Sequence, residues 1–153
     1  MCNLKSLEKF AAIHELIENV SVFHDVHNLH AFEEEVVRRE RVQSTGIGRG
    51  VAVAHGVCRD AHNIILGLGI SEKGIEFESI DKKPVHLLFL IANPPNCEEE
   101  YLIILSALVK LVRNNGFRKR LLEASSTEKV QSILNNAFCR QAAEEKRAYG
   151  YTS

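Results

Sequence analysis

No stretch of the 153 residues approaches the roughly 20 consecutive apolar residues of a membrane span, so no membrane insertion is expected. The start, "MCNLKSLEKFAAIHELIENV", has charges scattered through it and no apolar core followed by a small-residue cleavage site. It does not read as a secretory signal, and a cytoplasmic location is expected. Charge of one sign is missing too. Nineteen Lys and Arg against 20 Asp and Glu leave a net charge of −1, which removes the basic field that nucleic acid would demand. Cysteines are few and far apart: Cys2, Cys58, Cys97 and Cys139 form no C-x-x-C pair and no zinc pattern. A chain of this size builds a core without staples, so they are expected as free thiols. Cys58 draws notice because it lies three residues after His55. There is no internal repeat and no low-complexity segment. One domain over residues 1–140 and a mobile tail over 141–153 are expected, the tail lacking an apolar stripe.

What is present alternates between helix-like and strand-like patterns. Residues 6–20 place Leu7, Phe10, Ile13, Leu16, Ile17 and Val20 largely on one helical stripe, with Ser6 as the expected cap. Residues 29–42 predict a second helix with Phe32, Val36 and Val37 inward and acids facing bases one turn on. Strands are expected at 50–54 and 63–70, with a short edge strand at 74–79. The apolar run 84–92, opened by Pro84 and closed by Asn93-Pro94-Pro95, predicts a central strand. A long helix follows over 97–114, with Glu98, Glu99 and Glu100 in its first turn and Gly116 as its stop. "FRKRLLEA" predicts a short helix, and Ser125-x-x-Glu128 opens a last one running to about residue 138. The whole is α/β: a mixed β-sheet sandwiched by helices, because the strands cluster instead of alternating strictly with helices.

The stretch "STGIGRGVAVAHG", residues 44–56, is the most unusual. Gly46, Gly48 and Gly50 stand at every second position, which is not G-x-G-x-x-G, and they precede a strand instead of following one. No Walker lysine follows. A glycine-rich turn and bulge that feeds a strand is the plain reading. His55 ends the apolar run beside Gly56, and from residue type alone it is either a structural histidine or a nucleophile. His24, His27 and His30 stand three apart and lack the H-x-x-x-H spacing, so a solvated turn is expected there and no metal. No cofactor is expected anywhere. His14, His62 and His86 read as ordinary helix, loop and strand residues.

This stretch resembles the signature S-T-G-I-G-x-G-[IV]-A-[IV]-P-H-G of the enzyme IIA domains of the bacterial phosphotransferase system, mannitol/fructose class, which include the nitrogen-regulatory phosphocarriers. The Arg-Glu that precedes the signature is found here as Arg39-Glu40. "PVHLLFLIANP" and "FRKRLLEASSTEKVQSIL" are also similar, so the likeness spans roughly residues 4–136. The resemblance implies a mixed sheet between helices and a phosphoryl group accepted on His55, through Nε2, from an HPr-type carrier. It implies Arg39 as the charge beside that group. Gly46, Gly48 and Gly50 would bring the backbone near the active edge, and Gly56 would clear space for the partner. Two positions depart from the pattern. Ala54 replaces the proline before the histidine, and Tyr101 stands where the family's second histidine opens the long helix. A tyrosine can donate a hydrogen bond to a phosphoryl oxygen but brings no positive charge. Three roles follow from the resemblance: a nitrogen- or metabolism-related regulator, a sugar-specific IIA passing phosphate to a IIB component, or a non-catalytic regulatory binding module.

Overall fold

The apolar run after Pro84 is the centre of the sheet. In the computed structural model, which describes residues 1–150, it forms β5 (Val85–Asn93), whose residues from Leu87 to Ala92 are all buried. Each fully buried leucine of this strand stabilises the fold by about 1.5–3 kcal/mol. β3 (Val51–Val57) runs parallel to one side of β5, and β4 (Ile65–Ile75) antiparallel to the other. β2 (Gly46–Gly48) and β1 (Cys2–Asn3) complete the order β1–β4–β5–β3–β2. Among the described residues the result is an α/β fold with an open five-stranded mixed sheet and five α-helices.

The described residues form two compact units, one running from Met1 to Cys97 and the other beginning at Glu98. In the first, α1 (Lys9–Asn19) and α2 (Leu29–Val42) pack on the sheet, with a short 3-10 turn at Ser21–Phe23 between them. Their stripe residues Ile13, Leu16, Ile17, Phe32 and Val36 join Ala52, Ala54, Leu88, Leu90 and Ala92 in one core. These sheet residues alternate along their strands, so they share one face. Phe23 stacks on Phe32 with ring centroids 5.8 Å apart.

The second unit holds α3 (Glu98–Arg113), α4 (Asn115–Leu122) and α5 (Thr127–Ala148). The last helix runs ten residues past its expected end and takes in 141–148, which the sequence had placed in a tail. Glu145 explains the extension. It is buried, bonded to Lys110 and within 3.1 Å of the Ser106 hydroxyl on α3. Residues 151–153 of the expected tail lie outside the described residues.

Several boundaries differ from expectation for local reasons. The strand expected at 63–70 begins at Ile65 and runs on to Ile75, because β5 is long enough to pair over that length, and of the edge strand expected at 74–79 only Gly74 and Ile75 belong to it. The register slips between Ile70 and Ile75, where Gly74 (φ 91°) donates its N–H to the Ser71 hydroxyl at 3.0 Å. α1 is capped by Glu8, whose carboxylate accepts from Phe10 and Ala11, while Ser6 donates its hydroxyl to Glu15. Asn114, not Gly116, separates α3 from α4 by capping the latter, and Gly116 lies inside α4. Ser126, not Ser125, caps α5. The short strand Cys2–Asn3 exists through its pairing with Gly69 and Ile70.

Candidate active site

β2 and β3 meet in a turn where Gly48 (φ 91°), Arg49 (φ 59°) and Gly50 (φ 77°) are all left-handed. Two glycines make such a sequence of angles affordable, and Asp81 braces the turn by accepting the Arg49 N–H at 3.0 Å. Gly46 has a different reason. A Cβ there would lie 2.3 Å from the Ser79 hydroxyl oxygen and 2.8 Å from the Ser79 Cα. The turn is at the start of β3, and five strand residues carry the chain roughly 16 Å further to His55. Gly46 and Gly48 are buried. These glycines therefore shape the hairpin and do not bring its turn to the histidine. Gly56 also departs from its expected part. It is buried against α2, where a Cβ would meet Val36 Cγ2 at 2.8 Å and the Val36 backbone N at 2.9 Å. It lets the helix approach the strand and is not a clearing for a partner.

The Ser-Thr before Gly46 is a double latch. The Ser44 hydroxyl donates to the Phe77 carbonyl at 2.6 Å and accepts from the Gly46 N–H at 3.1 Å. Thr45 gives both its N–H (2.9 Å) and its hydroxyl (2.5 Å) to the carboxylate of Glu40, which is 1% exposed. The Thr45 carbonyl in turn accepts the Val53 N–H at 3.1 Å and so extends the edge contact of β3 one step beyond β2. Arg39, in the last turn of α2, donates to the Gln43 carbonyl at 2.9 Å. Both members of Arg39-Glu40 thus hold the same short connection, residues 43–45.

His55 lies within β3, not at its end, because the strand continues to Val57. It is half-buried, in register with Ile91, and its Nδ1 is 3.4 Å from the Val53 carbonyl. A carbonyl can only accept, so this contact favours the tautomer with hydrogen on Nδ1 and the lone pair on Nε2. Burial pushes the imidazole below its ordinary value of about 6.5. The Val53 contact opposes that shift, the Arg39 charge adds to it, and the Glu40 charge opposes it. Burial thus favours the neutral imidazole, and the Val53 contact favours its Nδ1–H form.

Of the residues singled out by sequence, the structure brings Arg39, Glu40 and His55 into one electrostatic neighbourhood. Tyr101 is half-buried on α3, in the second unit. Cys58 is buried, its thiol pushed up by burial, and its N–H is given to the Asn93 carbonyl at 2.8 Å. His24 donates to the Glu18 carbonyl, His30 pairs with Glu34, and His14 pairs with Glu33. Among the described residues no group of three His, Cys, Asp or Glu is placed to hold a metal ion, and no helix is long and apolar enough to cross a membrane.

Sequence reasoning missed the burial of Lys9 and Glu40. Lys9 is 6% exposed, 3.7 Å from Glu40 and 3.1 Å from Glu78, with its ammonium over the rings of Phe10 and Phe77. One signal pointed to it: Lys9 precedes Ile13 and Leu16 by four and seven residues, so it is a charge on an apolar stripe.

The family model described as "Phosphoenolpyruvate-dependent sugar phosphotransferase system, EIIA 2" matches residues 1–137. The chain is 34% identical over 133 residues to the "PTS system fructose-specific EIIABC component" of Bacillus subtilis (strain 168), covering 87% of this chain and 21% of that protein. It is 35% identical over 101 residues to the "PTS system fructose-specific EIIA component" of Haloferax volcanii, covering 66% of each. Its fold superposes on the crystal structure of the nitrogen regulatory protein IIA-Ntr from Neisseria meningitidis with a TM-score of 0.77 at 26% identity, over 87% of this chain and 90% of that one. The chain thus spans about a fifth of the first of these relatives and about two thirds of the second. With the match running through both the His55 strand and the helices after it, the chain belongs to the EIIA 2 family of the phosphoenolpyruvate-dependent sugar phosphotransferase system.

Proposed function

We propose that this protein is a cytoplasmic phosphocarrier that accepts a phosphoryl group on His55 from an HPr-type carrier and hands it to a downstream protein. One observation carries the reading. His55 is held neutral by burial while its Nδ1 faces the Val53 carbonyl, which leaves the lone pair on Nε2. In the transfer, Nε2 attacks the phosphorus of the donor's phosphohistidine. The new N–P bond forms as the donor's N–P bond breaks, and the electron pair of the broken bond returns to the donor imidazole. Nδ1 keeps its proton, and the Val53 carbonyl accepts the stronger hydrogen bond of the resulting imidazolium. Little else is asked of the protein beyond position and charge, and Arg39 supplies the charge.

A regulatory role, nitrogen- or metabolism-related, is the leading assignment. It is supported by the likeness to IIA-Ntr over nearly the whole of that chain. The two fructose-specific relatives favour a second reading, in which a sugar-system IIB component is the acceptor. Tyr101, at the position of the family's second histidine, slows transfer relative to a two-histidine relative. In the limit it leaves a regulatory binding module. Incubation with a phosphorylated HPr-type carrier is expected to give acid-labile, base-stable label in the wild type and none in His55→Ala. Label that survives His55→Ala refutes the assignment.

A further inference from the structure

A lysine and a glutamate buried together on the inner side of two helices call for a reason. Stability is a poor one, since a buried ion pair is often no better than apolar residues of the same volume. Direction is a better one. Charge-assisted hydrogen bonds are short and angular, and a carboxylate can serve several donors at once. Glu40 does so: it accepts the Thr45 N–H and hydroxyl while facing the Lys9 ammonium at 3.7 Å. Lys9 is itself fixed by Glu78 at 3.1 Å and by the faces of Phe10 and Phe77.

We propose that the buried Lys9–Glu40 pair is the positioning device for the His55 imidazole, acting through the backbone of Thr45 and Val53. The linkage is continuous. Lys9 holds Glu40, Glu40 holds two groups of Thr45, the Thr45 carbonyl holds the Val53 N–H at 3.1 Å, and the Val53 carbonyl faces Nδ1 at 3.4 Å. In an extended strand the N–H and C=O of one residue point to the same side. Fixing the Val53 N–H therefore also fixes the carbonyl that selects the tautomer. An apolar residue at position 40 would free the Thr45 N–H and hydroxyl, and the edge of β3 beside His55 would lose its brace. Lys9 and Glu40 are positioning residues in this scheme; neither touches the transferred group. The inference rests on the phosphocarrier reading for its purpose, but not for its structural readout.

That readout is the nitrogen NMR signature of the His55 ring, which reports which nitrogen bears the proton without any phosphate present. The wild type is expected to show Nδ1–H. Glu40→Gln takes the charge from both Thr45 bonds and Thr45→Val removes the hydroxyl bond alone; both keep size and shape, and each is expected to move the population severalfold toward Nε2–H. The maximal single-turnover rate of phosphoryl acceptance should fall on the order of 10- to 100-fold, the penalty for a misplaced reacting group. The half-saturating donor concentration should stay within about twofold, because the donor-binding surface is untouched. Lys9→Arg should preserve the wild-type tautomer and rate. If Glu40→Gln does not fold, Thr45→Val decides by the same measurement. A wild-type tautomer ratio in a folded Thr45→Val protein overturns the proposal, as does an Nε2–H wild type. Tautomer shifts in a chain that takes no phosphate would sink the phosphocarrier reading and leave the positioning intact. Phosphate uptake with no tautomer shift would do the reverse.

Discussion

Replacing Gly56 by alanine tests how tightly the His55 strand is pressed against α2. The added Cβ would stand 2.8 Å from Val36 Cγ2, 2.9 Å from the Val36 N and 3.2 Å from the Val36 Cα. Ordinary carbon contacts are about 3.5–4.0 Å. The methyl of Val36 can turn away, but its backbone cannot, so α2 has to retreat by a good fraction of an ångström. Overpacking of this kind costs about 1–3 kcal/mol. Gly56 is not in the left-handed region, so alanine recovers about 0.4–1 kcal/mol by restricting the unfolded chain. The net destabilisation spans about 0–2.6 kcal/mol and centres on ~1.3 kcal/mol, which for a chain of this length lowers the melting temperature by roughly 3–5 °C. The functional loss should be larger than that. Arg39 and Glu40 follow Val36 by three and four residues, about 4.5–6 Å along the helix, so a retreat of α2 carries both charges away from His55. Thermal melting and single-turnover phosphoryl acceptance measure the two effects. Adding Val36→Ala should rescue only in part, because it removes the Cγ2 contact and leaves the backbone ones. A Gly56→Ala protein with the wild-type melting temperature and transfer rate would show that strand and helix are not in close contact here.

Arg39→Ala should slow phosphoryl acceptance on the order of 10²-fold with little change in the melting temperature, as expected for loss of one charged stabiliser; an unchanged rate would remove Arg39 from the site. The acid limb of the pH–rate profile should lie below pH 6.5, because burial first, and Arg39 as well, lower the His55 value. The same shift has a sign in stability. Below about pH 6.5 the unfolded chain binds a proton that folded His55 refuses, so stability falls as the pH drops from there through the lowered folded value. His55→Gln should flatten that part of the curve, and an acid limb above 6.5 would contradict the burial argument. Tyr101→His should raise the rate of transfer from the same phosphocarrier and Tyr101→Phe should lower it modestly; one rate for all three proteins would mean that the tyrosine takes no part.

The sequence by itself determined the α/β class, the central strand, the span of α2 and the identity of His55 and Arg39 as the residues to watch. Each of these is encoded locally or by motif. A continuous apolar run bounded by prolines can only be a buried strand or a buried helix, and its length and flanks decide between them. Helix periodicity survives in any environment. The Ser-Thr-Gly signature carries its own meaning once it is matched. What the sequence could not show were relations between distant residues. The fusion of residues 65–75 into one strand required a β5 long enough to pair with both segments. The cap of α1 passed to Glu8 because Glu15 engaged Ser6, and α5 continued because Glu145 found Lys110 and Ser106 on another helix. Gly56 looked like an opening for a partner, and only the approach of Val36 revealed it as a packing glycine. Lys9 and Glu40 are 31 positions apart, and nothing local in the sequence pairs them. Their burial, and with it their hold on the edge of the His55 strand, was decided by the way α1 and α2 close over the sheet. Local pattern sets which elements form, but the environment of a charge is set by whatever the fold brings beside it.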